Sequence, residues 1–193
     1  MTVTSRSAGD LLTAASYNTK LEAPVLTSEI GDAQITAAKI ADGQITAAKL
    51  ATQPAARVYH TAAQAIPNTT STALAFDSER LDTDTIHDPA TNNSRLTRQT
   101  PGLYLITGHV NWAANGSGNC CLSIRLNGAT VIASQVSPNI GAVNSHDQAI
   151  ATLYPLAQGD YLELIVYQTS GGALDIQAAG NFSPEFAMTR LSP

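Results

Sequence analysis

Hydrophobic and polar residues alternate in short runs through most of the chain from Arg57 to Pro193. Successive side chains of a strand point to opposite faces, so runs of this kind, bounded by Gly, Pro and Asn, predict strands. Ten strands are predicted with no convincing helix among them, which indicates an all-β sandwich. Their residue ranges are 57–61, 72–76, 94–99, 102–113, 119–126, 129–135, 148–156, 160–168, 173–178 and 185–191.

The alternation also assigns the two faces of each strand. One face supplies the predicted core: Tyr104, Ile106, Val110, Trp112, Leu122, Ile124, Leu126, Leu162, Leu164 and Val166. Some strands carry apolar residues on the opposite face too, at Leu103, Leu105, Ile165 and Tyr167. An apolar outer face of this kind favours a subunit interface.

Two dipeptides add local detail. Asn127-Gly128 lies between two predicted strands and is a strong hairpin signal. The adjacent Cys120 and Cys121 are expected to point to opposite faces of one strand, one into the core and one outward. Neighbouring cysteines do not form an ordinary disulfide, and two thiols are too few for a zinc site.

The first 56 residues follow a different pattern. Asp10 is a candidate N-cap for a short helix that begins with Leu11 and Leu12 and includes Tyr17. Pro24 closes this element. A helix this short is not stable alone, so we expect it to be docked on another surface.

A ten-residue repeat follows, in which residues 30–39 and 40–49 are nearly identical. Five residues of α-helix turn about 500°, so apolar residues at every fifth position do not form one helical stripe. They match neither a coiled-coil seam nor one face of a strand. The pattern predicts a broken rod of single helical turns, capped by Thr36 and Thr46. In a trimeric stalk, three copies would share a narrow core formed by Ile30, Ile35, Ile40, Ile45 and Leu50. The alternative is a flexible Ala/Thr linker.

Composition and charge also differ between the first 56 residues and the rest of the chain. Charged residues are 13 % of the chain against about 25 % in average proteins, and the formal net charge is -5. The acidic balance argues against nucleic acid as a partner, and no apolar run is long enough to insert into a membrane. All three lysines lie before residue 50. These shifts predict three segments: 1–24 as an anchor, 25–56 as a repeat stalk and linker, and 57–193 as a globular knob.

The order of motifs in the knob resembles the complement globular-head (C1q) and tumour-necrosis-factor jelly roll, in the form found in phage and bacterial proteins. The motifs lie at residues 76–88, 94–97, 101–106, 126–128, 156–164 and 183–191. The Gly-Leu-Tyr strand, the Asn-Gly hairpin and the Gly-Asp pair before a long strand are the best matches. This resemblance implies a ten-stranded jelly-roll β-sandwich that forms a homotrimer and binds partners without catalysis. The predicted fold is therefore mostly β, with a short N-terminal helix and a ten-residue-repeat stalk before the knob.

The N-terminal segment is similar to the virion-proximal parts of tailed-phage fibres and appendages, on residues 8–15 and the Ile-Thr-Ala-Ala-Lys repeats. This resemblance implies a structural protein on the surface of a bacteriophage particle, namely a short head fibre, a capsid decoration or a tail appendage. Its N-terminus would bind a capsid, neck or tail protein. The stalk from Pro24 to Leu50 spans at most about 90 Å, which is short for a dedicated tail fibre. A tail-fibre receptor-binding adhesin for host attachment and a bacterial complement-like binding module are the alternatives.

Candidate chemistry is sparse. One dense acidic cluster offers a weak calcium site, at Asp77, Glu79, Asp82, Asp84 and Asp88, although its spacing is not that of an EF-hand. Solvated loop acids that cap turns are the other interpretation of this cluster. The four histidines lack partners at metal-ligand spacing, and no nucleophile elbow or phosphate loop is present. We therefore predict no enzyme activity and no cofactor.

Loops rich in Asn, Ser and Gly are the candidate recognition surface, because loops at one end of a sandwich commonly carry binding sites. They lie at residues 113–119, 137–147 and 169–172, and a host-cell glycan is the ligand they would suit. The candidate residues are Asn115, Ser117, Asn119, Asn139, Asn144 and Ser170. Trp112, which could stack on a sugar, is predicted to be buried, and this weakens the adhesin alternative.

Overall fold

The computed structural model describes residues 35–36, 40–42, 44–46, 52–139, 141 and 143–193. The chain divides into two units, Met1–Ala51 and Thr52–Pro193. The predictions for Leu11, Leu12, Tyr17, Ile30 and Leu50 lie outside the described residues. Among the residues that the structure describes, no helix is long and apolar enough to cross a membrane.

Three of the stalk positions are described. The side chains of Ile35, Ile40 and Ile45 are exposed in the single chain, at 56 %, 39 % and 57 %. A branched apolar side chain left in water forgoes the stabilisation that burial would give, roughly 1.5–3 kcal/mol for each residue. Their exposure in one chain is compatible with burial between three copies but does not show it, so the trimeric stalk stays a prediction.

The described residues of the second unit form twelve strands. They are β1 (Ala55–Tyr59), β2 (Gln64–Ile66), β3 (Thr72–Ala73), β4 (Ser78–Asp82), β5 (Arg95–Thr97), β6 (Gly102–Trp112), β7 (Asn119–Leu126), β8 (Thr130–Pro138), β9 (His146–Leu156), β10 (Tyr161–Gln168), β11 (Leu174–Ile176) and β12 (Glu185–Ser192).

The strands form two antiparallel sheets. The seven-stranded sheet has the order β2-β11-β6-β12-β1-β4, and β9 pairs with the other edge of β6. The five-stranded sheet has the order β3-β10-β7-β8, and β5 also pairs with β10. Asn127 and Gly128 join β7 to β8 with positive φ angles of 52° and 70°, which confirms the predicted hairpin.

The core lies between the two sheets. The predicted core residues are fully buried except for Leu126, which is partly buried against the others. Phe76 and Phe186 add an aromatic pair with ring centroids 6.0 Å apart. Cys120 is buried and Cys121 is partly exposed, as alternation along β7 predicts. Both thiols are free, and burial raises the pKa of Cys120 to about 12.

The pattern predicted ten strands, and the structure adds β2 and β4. β2 has only three residues, too few for alternation to be recognised. β4 has the sequence Ser-Glu-Arg-Leu-Asp, and its one apolar residue, Leu81, points outward with 47 % exposure. The strand therefore gives no inward apolar signal, and part of the acidic segment that had been assigned to a loop is a strand.

Candidate interaction face

The outer side of the seven-stranded sheet carries mostly small and apolar side chains. In β6 the even-numbered residues from Tyr104 to Val110 are buried, and the odd-numbered ones between them point away from the core. The neighbouring strands continue this surface in register. We call it the outward face, and it consists of Ala55, Arg57, Leu81, Leu103, Leu105, Thr107, His109, Ala149, Ala151, Leu153, Glu185, Ala187 and Thr189.

Two shallow depressions lie side by side on the outward face. The upper depression has a volume of about 440 Å³ and is lined by Arg57, Thr107, Gly108, His109, Ala149, Ile150, Ala151, Glu185 and Ala187. The lower depression, of about 240 Å³, is lined by Ala55, Ala56, Arg57, Leu81, Leu105, Thr107, Ala187, Met188 and Thr189. Ala187 lines both, together with Arg57 and Thr107, so it lies where the two depressions meet. Small side chains at the centre of a sheet allow another surface to approach closely.

An ion cluster borders the upper depression. The carboxylate of Glu185, only 7 % exposed, accepts hydrogen bonds from Arg57 Nε and Arg80 Nε, each at 2.6 Å. The Arg80 guanidinium also stacks on the Tyr59 ring, 4.1 Å from its centroid. Charges on this part of the sheet are therefore paired within the chain, which lowers the cost of removing the surface from water.

The apolar residues predicted to point outward divide between two surfaces. Leu103 and Leu105 belong to the outward face. Ile165 and Tyr167 lie instead on the outer side of the five-stranded sheet, next to Cys121 and Ser123. The four residues therefore do not form one continuous surface on a single chain, and their use in a subunit interface stays a prediction.

Four of the five acidic residues of the calcium prediction have a separate partner within the chain, whereas Oδ2 of the fifth, Asp84, is buried without a hydrogen-bond partner. Asp82 accepts hydrogen bonds from the backbone N–H groups of Asp84, Ile86 and His87. Asp77 binds Thr61, Glu79 binds the His87 ring, and Asp88 caps the turn at residues 90–91. Among the described residues, no group of three or more His, Cys, Asp or Glu side chains is placed to hold a metal ion. The carboxylates of Asp77, Glu79, Asp82 and Asp88 therefore stabilise turns and neighbouring segments.

The predicted recognition loops do meet at one end of the sandwich, but several of their polar groups bind one another. Asn139 donates to the Ser117 carbonyl, and Ser117 N–H donates to the Asn115 side chain. Thr169 donates its backbone N–H to the Asn119 carbonyl. Asn144 is exposed, and Ser170 donates to the Gly172 carbonyl. Much of the hydrogen-bonding capacity proposed for a glycan therefore holds the loops together.

A buried polar chain connects these loops to the core. Trp112 Nε1 donates to Gln148 Oε1 at 2.6 Å, and Gln148 Nε2 donates to Ser137 Oγ at 2.9 Å. The Ser137 hydroxyl lies 3.1 Å from His146 Nε2. Burial lowers the pKa of His146, although the neighbouring Asp147 carboxylate opposes this change. A neutral His146 with an unprotonated Nε2 accepts a hydrogen bond from the Ser137 hydroxyl, so the serine and histidine complete a structural chain.

This chain predicts a pH-dependent stability. The pKa of His146 is lower in the folded state than in the unfolded state, so protonation below the unfolded value of about 6.5 favours unfolding. We expect the urea midpoint to fall between pH 7.5 and pH 5.0, and His146→Gln to reduce this fall. The emission of Trp112, the one tryptophan in the sequence, reports the transition. Equal pH dependence in both proteins would assign the effect to other groups.

No known family model matches the chain, and no curated protein matches its sequence. Solved structures do match the sandwich. The crystal structure of murine APRIL at pH 8.5 has a TM-score of 0.55 at 9 % identity, and the one at pH 5.0 has 0.54 at 11 %. Each match covers 72 % of this chain and 100 % of the APRIL chain. At these identities the likeness shows the fold alone, and it confirms the tumour-necrosis-factor-like jelly roll that the motifs implied.

Proposed function

On the basis of this tumour-necrosis-factor-like jelly roll, we propose that the chain is a non-catalytic module that associates with itself through the outward face. The supporting observation is the composition of that face, which is small and apolar at its centre and has its charges paired at one border. On the same face Leu81 and Leu153 are 47 % and 55 % exposed in the single chain, and clustered exposed apolar residues mark interaction sites. A homotrimer is the assembly implied by the fold resemblance.

We further propose that the trimer is a structural component of a phage particle, as a head fibre, capsid decoration or tail appendage. The N-terminal segment would anchor it to a capsid, neck or tail protein, and the repeat would form the stalk. This part of the proposal is supported by the resemblance of residues 1–56 and by the regular isoleucine spacing, whose described members are exposed in a single chain. Immunogold labelling of purified virions through this chain would test it, and particles without label would contradict it.

The adhesin alternative has less support from the loops. Trp112 is fully buried, and the side chains of Asn115 and Asn139 bind neighbouring loop atoms. A glycan array probed with the full chain distinguishes the two roles. Binding to a defined glycan would favour the adhesin.

Self-association is tested by the variant Ala187→Glu. Ala187 contacts both depressions, so a larger charged side chain there would have to be buried between copies, at a cost of several kcal/mol. We expect the wild-type chain to sediment at three times its 20.1 kDa mass and Ala187→Glu to be at least tenfold weaker in assembly.

The matched control is Ala129→Glu, which introduces the same charge at an exposed alanine beside the five-stranded sheet. This variant should assemble like wild type. A monomeric wild-type chain, or equal weakening in both variants, would contradict the proposed use of the outward face.

A further inference from the structure

Residues 180–182 form a loop in which three successive backbone carbonyls each accept a hydrogen bond from a side chain of the sheet. The carbonyl of residue 180 accepts a hydrogen bond from Arg80 Nη2, and that of residue 181 accepts one from Arg57 Nη2, both at 3.0 Å. The carbonyl of residue 182 accepts a hydrogen bond from His109 Nδ1 at 2.6 Å. The donors come from β4, β1 and β6, so the loop is fixed to three strands of the seven-stranded sheet.

The side chain presented by this rigid loop is an exposed phenylalanine. Phe182 is 48 % exposed, and its ring meets the His109 ring edge-on with centroids 5.7 Å apart. An aromatic side chain on a preorganised backbone loses little conformational freedom when it binds, so it can act as an anchor in an interface.

A cavity suited to such an anchor lies beside it on the same chain. Arg57 and His109, which hold the loop, also line the upper depression. The rest of its lining is Thr107, Gly108, three alanines, Ile150 and Glu185, whose carboxylate is paired with Arg57 and Arg80. This depression of about 440 Å³ is open, its Arg57 and Glu185 side chains are paired with each other, and it is large enough to receive an aromatic ring.

We propose that Phe182 of one copy inserts into the upper depression of a neighbouring copy. The inference rests on the proposed self-association and specifies its principal contact. A second copy is the occupant because the anchor and the cavity are both on this chain, and because the cavity is continuous with the centre of the outward face at Ala187. Repeated from copy to copy, this contact is head-to-tail and closes into a ring when the rotation permits.

The first test is Phe182→Ala in the full chain. We expect its assembly to be at least tenfold weaker than that of wild type by sedimentation, while its far-UV circular dichroism spectrum stays that of wild type because the half-exposed ring adds little to the fold of a single chain. Val136→Ala is the control, since Val136 is 65 % exposed on β8 of the other sheet. Wild-type assembly strength in Phe182→Ala would overturn the inference.

The second test locates the contact directly. In this test, Phe182 is replaced by the photo-crosslinking amino acid benzoyl-phenylalanine in unlabelled chains. These chains are mixed with ¹⁵N-labelled wild-type chains, and the mixture is irradiated. We expect crosslinks between the two isotopes, at residues 107–109, 149–151 or 187. Crosslinks within one chain alone, or to a different surface, would overturn the inference while leaving a trimeric wild type intact. A monomeric wild type would overturn the proposed self-association as well.

Discussion

Replacing Gly118 by alanine is expected to destabilise the fold by about 4 kcal/mol. Gly118 has a φ of +73°, and a Cβ atom there would lie 2.0 Å from the carbonyl oxygen of Thr169. The Thr169 backbone has little room to move. Its N–H donates to the Asn119 carbonyl at 3.0 Å, and its hydroxyl accepts from Asn119 N–H at 2.9 Å. The substitution therefore combines backbone strain with the loss of hydrogen bonds between two loops.

Gly171→Ala is the matched control for this variant. Gly171 also has a positive φ, +96°, but nothing lies within 4 Å of its Cβ position. This variant retains the strain without the steric clash, so we expect it to lose only about 1–2 kcal/mol. Urea denaturation followed by Trp112 emission measures both, with unchanged m-values indicating a real change in stability. Equal losses in the two variants would show that the backbone of Thr169 adjusts.

Most of the sandwich could be predicted because its central strands alternate strictly. β6 places Tyr104, Ile106 and Val110 in the core, and the Asn127-Gly128 pair marks the hairpin after β7. β4 could not be predicted in this way, because it is at the edge of its sheet and turns its single leucine outward. Alternation reports burial, so a strand that buries no large apolar residue leaves no signal.

The candidate interaction face was only partly predictable. Leu103 and Leu105 were recognisable as outward apolar residues, since they alternate with core positions. The ion cluster was not, because Glu185 is 128 residues from Arg57 and 105 from Arg80 in sequence. Phe182 gave one weak signal, a lone aromatic between asparagine and serine in a polar segment. Contacts made by residues so far apart depend on the strand order, which periodicity does not reveal.

The ion cluster of Glu185, Arg57 and Arg80 stabilises the sheet and also holds the loop beside the outward face. The variant Glu185→Gln tests both effects. The substitution keeps the size of the side chain but removes the charge that faces two guanidinium groups. Because Arg57 is half exposed, solvent moderates the penalty, and we expect a loss of about 2–3 kcal/mol. Arg57 and Arg80 would no longer be held where they bind the carbonyls of residues 180 and 181, so the loop that carries Phe182 should loosen.

Glu163→Gln separates this effect on assembly from a general loss of stability. Glu163 is 6 % exposed on β10 and pairs with Arg125 at 2.9 Å and Arg95 at 3.7 Å, so it is a similar cluster on the other sheet. Both variants should lower the urea midpoint, but only Glu185→Gln should also weaken assembly in sedimentation, by at least about tenfold. If both variants assemble like wild type, the cluster stabilises the sheet without shaping the interface. If both assemble equally poorly, the loss follows from reduced stability, because Glu163 lies on the five-stranded sheet, whereas the side chains that hold the loop of Phe182 come from the seven-stranded sheet.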